Sequence, residues 1–419
     1  MKVLYIHQYF TTPDGCSGTR SYEFAKQLIA SGHEVTILCG SSQMTKTNIS
    51  SAFVKGKRQG VVDNINIVEV DLNYSNYHGF LKRASKFVLF VFKCTKYVRS
   101  YQYDILVTTS TPLTVAIPGI LMKMLKFKKR PFILEIRDLW PDLPQAMGVI
   151  KNPIILKALG TLEWLAYKYA DFGIGLSPGI CQGMKRYRSF KSDEVVLIPN
   201  GCDNTFFNNS KVQETSNITL NKLLENHKTA IFTGAHGIAN GLEAVIDVAH
   251  LLLQKGRDDI KFLFIGDGKV KPTLINQAQT LGLDNCYFFD PIVKRDMPYV
   301  MKKATLGLMI LQNVEAFYYG TSPNKFFDYI ASGLPVVNNY PGWVANMIKE
   351  YDCGETCTPD SKMAFADAIV QIVDATDKSY SVMSTNARNL AREFDRGVLA
   401  QKFVKLCERA YSHSNNHSN

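Results

Sequence analysis

The chain has 419 residues, 46% of them hydrophobic and 20% charged. That is more chain than one core usually fills, and the composition excludes a disordered or fibrous polypeptide. Nine cysteines lie far apart with no Cys-x-x-Cys pair, which excludes a disulfide scaffold or zinc ribbon and points to buried thiols in a reducing compartment. The net charge of +11 belongs wholly to residues 1–205, which hold 26 Lys and Arg against 15 Asp and Glu; residues 206–419 hold 22 of each.

MKVLYIHQYF lacks the layout of a signal peptide and reads as a buried first strand. No stretch reaches the roughly 20 apolar residues of a membrane-spanning helix, so a cytoplasmic protein is expected. After the strand VLYIHQYF comes the turn TTPDGCSGTR, with Gly15 and Gly18, then a helix over SYEFAKQLIASGHEV ended by Gly32, then the strand EVTILCG. Residues 80–130 carry eleven basic side chains and one acid, Asp104. There FLKRASKFVLFVFKCTKYVRS and LMKMLKFKKRPF interleave apolar with basic residues at helical spacing. Such a segment suits an anionic membrane surface, or packs its apolar stripe on a sheet, and the two are compatible. Nucleic acid is the weaker reading, because no recognised nucleic-acid module accompanies the charge.

Strands at INIVEVD, DILVTTS, PFILEIRD, FGIGLS and EVVLIPN, with a helix over 152–170, predict a parallel, doubly wound α/β sheet. The polar stretch NNSKVQETSN then reads as a linker. The alternation restarts with TAIFTG, helix 240–255, IKFLFIGDG, helix 271–281, CYFFDP, helix 296–303, LGLMIL, helix 322–332 and PVVNN. The expected organisation is an N-terminal Rossmann-like domain (1–205), a linker (206–225), a second Rossmann-like domain (226–384), a helical segment (385–413) packing back toward the first, and a disordered tail (414–419).

Open parallel sheets bind ligands outside the carboxyl ends of their strands, which singles out the loops GCSGTR, RDLWPDLP, GAHGIANG, GDGK and YYGTSPNK. Glycine turns that lead into helices present backbone N–H groups to anions. In GTSPNKFFDYIASGLPVV, Ser322 is expected to cap the helix, Pro323 to open it and Gly333 to stop it. Lys325 and Asp328, three apart, then share a side: they form a surface ion pair, or take a phosphate and a sugar diol respectively. EIRDLWPD concentrates Glu135, Arg137, Asp138 and Asp142, as an internal Arg137–Asp142 pair or as part of a site. There is no Ser-His-Asp order, metal-ligand helix or Walker-type Gly-Lys-Ser.

In order and spacing, GCSGTRSYEFAKQLIASGHEVTIL, EIRDLWPD, VVLIPNGCD, FTGAHGIANGLEAVIDVA, FLFIGDGKVKPTL and PNKFFDYIASGLPVV resemble glycosyltransferase family 4. These are retaining GT-B enzymes with two Rossmann-like domains and a deep cleft between them. The wording is most similar to bacterial O-antigen and capsule N-acetylfucosaminyl (amino-sugar) transferases. The resemblance implies transfer of a sugar from a nucleotide diphosphate donor, UDP by preference, to a lipid-linked saccharide in surface polysaccharide synthesis. It implies no metal or other cofactor, and a protein peripheral on the inner face of the cytoplasmic membrane. It assigns catalysis to Asp138 and Arg137, and donor binding to Gly15, Gly18, Gly234, Lys325 and Asp328; His236, Asn240, Thr321 and Ser322 join them as candidates on the donor side. Three positions depart from the family: Gly320 replaces the first of two glutamates, Ala235 an arginine and Asn240 a lysine. His236, Lys325 and the helix start at Thr321 and Ser322 are then the candidates for meeting the diphosphate. A sugar-nucleotide 2-epimerase and a non-catalytic nucleotide-sugar or membrane-binding subunit are the rival readings.

Overall fold

In the computed structural model, which describes all residues except 16–17, 44, 76–77, 188–189, 191–192, 209–212 and 417–419, the apolar runs form two sheets. The first contains β1 (Lys2–Ile6), β2 (Glu34–Ser42), β3 (Lys57–Val62), β4 (Ile65–Tyr74), β5 (Ile105–Thr109), β6 (Phe132–Ile136), β7 (Phe172–Gly175) and β8 (Val195–Leu197). Its order is β3-β4-β2-β1-β5-β6-β7-β8, and every neighbouring pair is parallel except β3 with β4. The central strands are apolar throughout because both faces are covered. Leu4, Ile6 and Leu106 pack with residues of α2 (Phe80–Ser100), α3 (Ile117–Met124) and the helix Pro153–Tyr169. Val3, Tyr5 and Ile105 pack on the other face with α1 (Arg20–Ala30) and the helix Arg396–Asn416.

The edge strand β3 was not among the expected elements. KRQGVV alternates exposed with half-buried residues, so it carries no apolar run. A two-residue turn at Asp63 and Asn64, both left-handed (φ 50° and 64°), closes the hairpin with the twist that such turns match.

The second sheet contains β9 (Lys228–Thr233), β10 (Ile260–Ile265), β11 (Cys286–Phe289), β12 (Leu306–Met309), β13 (Val336–Asn338) and β14 (Gly354–Thr356). It is parallel throughout, in the order β11-β10-β9-β12-β13-β14. The chain thus forms two doubly wound, Rossmann-like α/β units. One comprises residues 1–199, 320–322 and 397–419, the other residues 200–319 and 323–396.

Three expectations about the connections need correction. Helices Asn204–Asn208 and Ile218–Asn226 occupy much of the presumed linker; its residues 209–212 lie outside the described residues. Asn217 caps the second of these helices by accepting from the Leu220 N–H, a signal hidden in a stretch read only for its polarity. The segment 385–413 belongs to two helices, Asp377–Glu393 and Arg396–Asn416. The last of them continues to Asn416, where a disordered tail was expected, and places Leu399, Phe403 and Cys407 in the core of the first sheet. Among the described residues no helix is long and apolar enough to cross a membrane.

Candidate active site

In the second unit the helix Asn324–Ala331 buries Phe326, Phe327, Tyr329 and Ile330. Tyr329 fixes its position: the phenol oxygen accepts from the Thr233 N–H (3.0 Å) and donates to the Ile231 carbonyl (3.3 Å) at the end of β9. Gly307 on β12 leaves room for the ring, because a Cβ there would lie 2.6 Å from it. The helix therefore starts over the carboxyl end of β9. Lys325 Nζ lies 3.6 Å above the Phe232 ring and donates to Asn240 Oδ1 at 3.0 Å. Asn240 is held in turn, its amide donating to the Ala235 carbonyl at 2.8 Å. Burial pulls the Lys325 ammonium well below the ordinary lysine range.

Beside it the turn at 234–236 is clamped to the β10 loop. The Gly234 and His236 amides donate to Ile265 and Asp267 carbonyls. A Cβ on Gly266 would lie 1.9 Å from the Gly234 carbonyl, and Gly234 itself has φ +128°. Only glycine suits these positions.

In the first unit, β1 ends at Ile6 and the chain turns at His7. The buried His7 ring meets Ser21 Oγ through Nδ1 (2.8 Å) and Arg137 Nη1 through Nε2 (3.3 Å). A guanidinium only donates, so Nε2 accepts and Nδ1 carries the proton to Ser21. Burial, with Arg137 and Arg20 nearby, holds His7 well below the usual histidine range, so the ring is neutral. Asp138 follows Arg137; burial raises its carboxyl, and Arg137 offsets part of the rise. Beneath them, Glu135 accepts twice from Arg20 (2.9 and 3.0 Å) and once from Thr109 (2.6 Å). A pocket of about 420 Å³ opens over these strand ends, and Gly18, Arg137, Trp140, Tyr74 and Arg83 are among its lining residues.

The family described as Glycosyltransferase Family 4 matches residues 17–206, and the family described as Glycosyl transferases group 1 matches residues 216–390. The chain is a GT-B glycosyltransferase. HepE of Anabaena, solved with UDP and glucose, is 17% identical over 98% of this chain and 100% of its own, with a TM-score of 0.69. Sucrose-phosphate synthase from Thermosynechococcus elongatus is 15% identical over 98% and 99%, with a TM-score of 0.73. WaaG, a glycosyltransferase involved in lipopolysaccharide biosynthesis, is 16% identical over 96% and 99%, with a TM-score of 0.65. No curated protein sequence matches the chain.

Within this glycosyltransferase, Gly234, Asn240 and Lys325 come together in the second unit, and Arg137, Asp138 and Gly18 at the strand ends of the first. Gly15 lies in its own turn, where a Cβ would meet Thr11 Oγ1 at 2.0 Å; the neighbouring Cys16 and Ser17 lie outside the described residues. Thr321 and Ser322 group with the first unit. Ser322 is not the cap: the helix starts at Asn324, with Pro323 before it and no side-chain cap. Gly333 does end that helix, with φ +71°, and Arg388 covers the end by donating to the Ser332 carbonyl at 3.2 Å.

His236 does not suit the part of a phosphate cation. It is fully buried near Phe232 and Phe264. Burial, then Lys271, with Asp267 opposing, lowers it to about 4, so it is neutral at pH 7. Lys325 and Asp328 form no ion pair. Asp328, raised by burial, is influenced instead by Lys294, Arg396 and Asp203. Nor do Arg137 and Asp142 pair; Asp142 takes Arg186 at 2.5 Å. The sequence reading missed His7, whose signal was its place just after β1, and Arg83, hidden among other basic residues. Among the described residues no cluster of three His, Cys, Asp or Glu could hold a metal ion.

Proposed function

We propose that the chain is a retaining transferase that moves a sugar from a UDP-linked donor to a lipid-linked saccharide at an anionic membrane surface, in surface polysaccharide synthesis. The observation that carries the donor half is the Lys325 ammonium, held by Asn240 beside the glycine turn at Gly234. A desolvated cation stabilises a leaving diphosphate more than a solvated one does. HepE binds UDP, which favours that carrier. Retention without a protein nucleophile follows if the leaving phosphate takes the acceptor proton, with Asp138 and Arg137 shaping the field at the reacting sugar. No metal or other cofactor is required by this scheme.

The membrane half rests on α2. Its Phe90, Cys94 and Val98 are buried against the sheet, while Leu81, Val88 and Phe92 are 82%, 69% and 66% exposed. Seven and eleven residues apart, these three share one outward stripe, flanked by Lys82, Lys93 and Lys96. A polar outer face would suffice for packing alone; apolar residues ringed by lysines suit the interface of an anionic bilayer on the cytoplasmic side.

The experiment is donor turnover by the purified chain with and without a lipid-linked saccharide. A transferase consumes UDP-sugar only when the acceptor is present. Release of an altered nucleotide sugar without acceptor favours the 2-epimerase, and no turnover with intact UDP binding favours a non-catalytic subunit. Sedimentation with anionic vesicles at low salt, released at high salt, is expected; failure to sediment at any salt leaves α2 as a packing helix alone.

A further inference from the structure

We infer that the pocket over the first sheet selects an acceptor saccharide bearing an anionic group, a carboxylate or a phosphate. The inference rests on the transferase reading and names the acceptor class. The cavity, about 420 Å³, falls in the range of small-molecule sites, roughly 300–1,000 Å³. Tyr9, Tyr74, Phe87 and Trp140 line it with aromatic surface. Tyr74 meets Tyr9 edge-on at 5.2 Å and stacks on Phe87 at 5.8 Å, so these rings form a fixed wall against which the C–H faces of a sugar can pack. The charged groups are of one sign. Arg83 and Arg137 both line the cavity, and among its described lining residues there is no acid.

The two guanidiniums differ in what already holds them. Arg137 donates to His7 and has Asp138 as a partial counter-charge. Arg83 donates through Nε to the Tyr74 hydroxyl at 3.0 Å. A hydroxyl oxygen orients the guanidinium without supplying a counter-charge. Both terminal amino groups of Arg83 are left without a protein partner among the described residues, and that pair is the fork that grips a carboxylate or phosphate through two parallel hydrogen bonds. A half-buried guanidinium with two unmatched amino groups meets the paired oxygens of an anion better than it meets a neutral hydroxyl. A neutral sugar leaves it unmet, whereas an anionic sugar meets it.

The full-length chain is titrated with N-acetylglucosamine 1-phosphate against N-acetylglucosamine, and with glucuronic acid against glucose, by ligand-observed NMR. The anionic member of at least one pair is expected to bind tenfold or more tightly than its neutral partner. The pair that shows the difference tells phosphate from carboxylate. Arg83→Gln should reduce the ratio below about threefold, and Arg83→Lys, which keeps the charge but not the fork, should restore it only in part, which separates loss of charge from loss of fold. Equal binding of both members in both pairs, no binding of any of the four, or a ratio that survives Arg83→Gln overturns the inference. UDP is titrated into the same samples: absent UDP binding with the anionic preference intact counts against the donor reading alone, and UDP binding without the preference counts against this inference alone.

Discussion

Lys325 Nζ lies 3.0 Å from Asn240 Oδ1 and 3.6 Å from the centre of the Phe232 ring, with no carboxylate partner among the described residues. An amide oxygen and a ring face are weak compensation for a desolvated ammonium, which is why burial pulls it down. An arriving diphosphate reverses that balance by favouring the charged form. UDP binding is therefore expected to take up protons, and affinity to fall as pH rises through the depressed lysine value. Calorimetry in buffers of differing ionisation enthalpy measures the uptake. Lys325→Ala should weaken UDP binding roughly ten- to hundredfold, the range of one charge-assisted hydrogen bond of about 1.5–3 kcal/mol. Buffer-independent heats with near-normal affinity in that variant would remove Lys325 from the phosphate site.

His236 gives a second pH signal. Its two ring nitrogens have no hydrogen-bond partner among the described residues, and burial lowers it from the ordinary histidine value of 6.5 to about 4. Between those values the unfolded chain binds a proton that the folded chain does not, so stability is lost as pH falls from 6.5 toward 4. The loss is at most about 3 kcal/mol. Buried carboxyls with raised values, Asp138 and Asp328, act in the opposite sense. The comparison is therefore with His236→Leu, whose denaturation profile should lack the extra loss between pH 6.5 and 4. Parallel profiles for the two proteins would contradict the assignment.

Gly320 ends the helix Glu315–Gly320, where the family resemblance expects a glutamate. Nothing in the backbone requires glycine there: φ is not in the left-handed region, and a Cβ would meet no heavy atom within 4 Å. Gly320→Ala and Gly320→Glu should both fold. The alanine variant should unfold at an equal or higher temperature, since removing glycine freedom at a compatible site stabilises by about 0.4–1 kcal/mol. If instead both variants lose several degrees in Tm, an unseen steric demand excludes the glutamate.

The strand rhythm, both sheets and the glycine stop at Gly333 were legible because each is local: apolar runs of strand length, helical spacing, a residue type suited to a left-handed angle. What was illegible depends on contacts distant in sequence. His7 meets Arg137 across 130 residues, and nothing near His7 announces a ring held between Ser21 and a guanidinium. The neutrality of His236 was also hidden, since a histidine in a glycine turn reads as an exposed cation until the second loop is seen to bury it. Of the two readings of Lys325 and Asp328, the surface ion pair is excluded: Lys325 is buried against Asn240, and Asp328 answers to Lys294 and Arg396, groups no helical spacing could indicate.

The pair Arg20–Glu135 is the strongest test of the first unit's frame. Arg20 donates to the Glu135 carboxylate and also to the carbonyls of Ile198 (2.6 Å) and Pro199 (2.5 Å), so one buried guanidinium ties α1, β6 and the chain after β8. Arg20→Leu strands a fully buried carboxylate whose only other side-chain partner among the described residues is Thr109. A cost of about 3–5 kcal/mol in urea denaturation is expected, as for other broken buried pairs. Arg20→Leu with Glu135→Leu removes the stranded charge and should recover part of that cost. Recovery stays incomplete, because two carbonyls still lose their donor. Full recovery would mean that the backbone contacts contribute nothing, and no recovery would mean that the carboxylate had been neutral or solvated after Arg20 was removed.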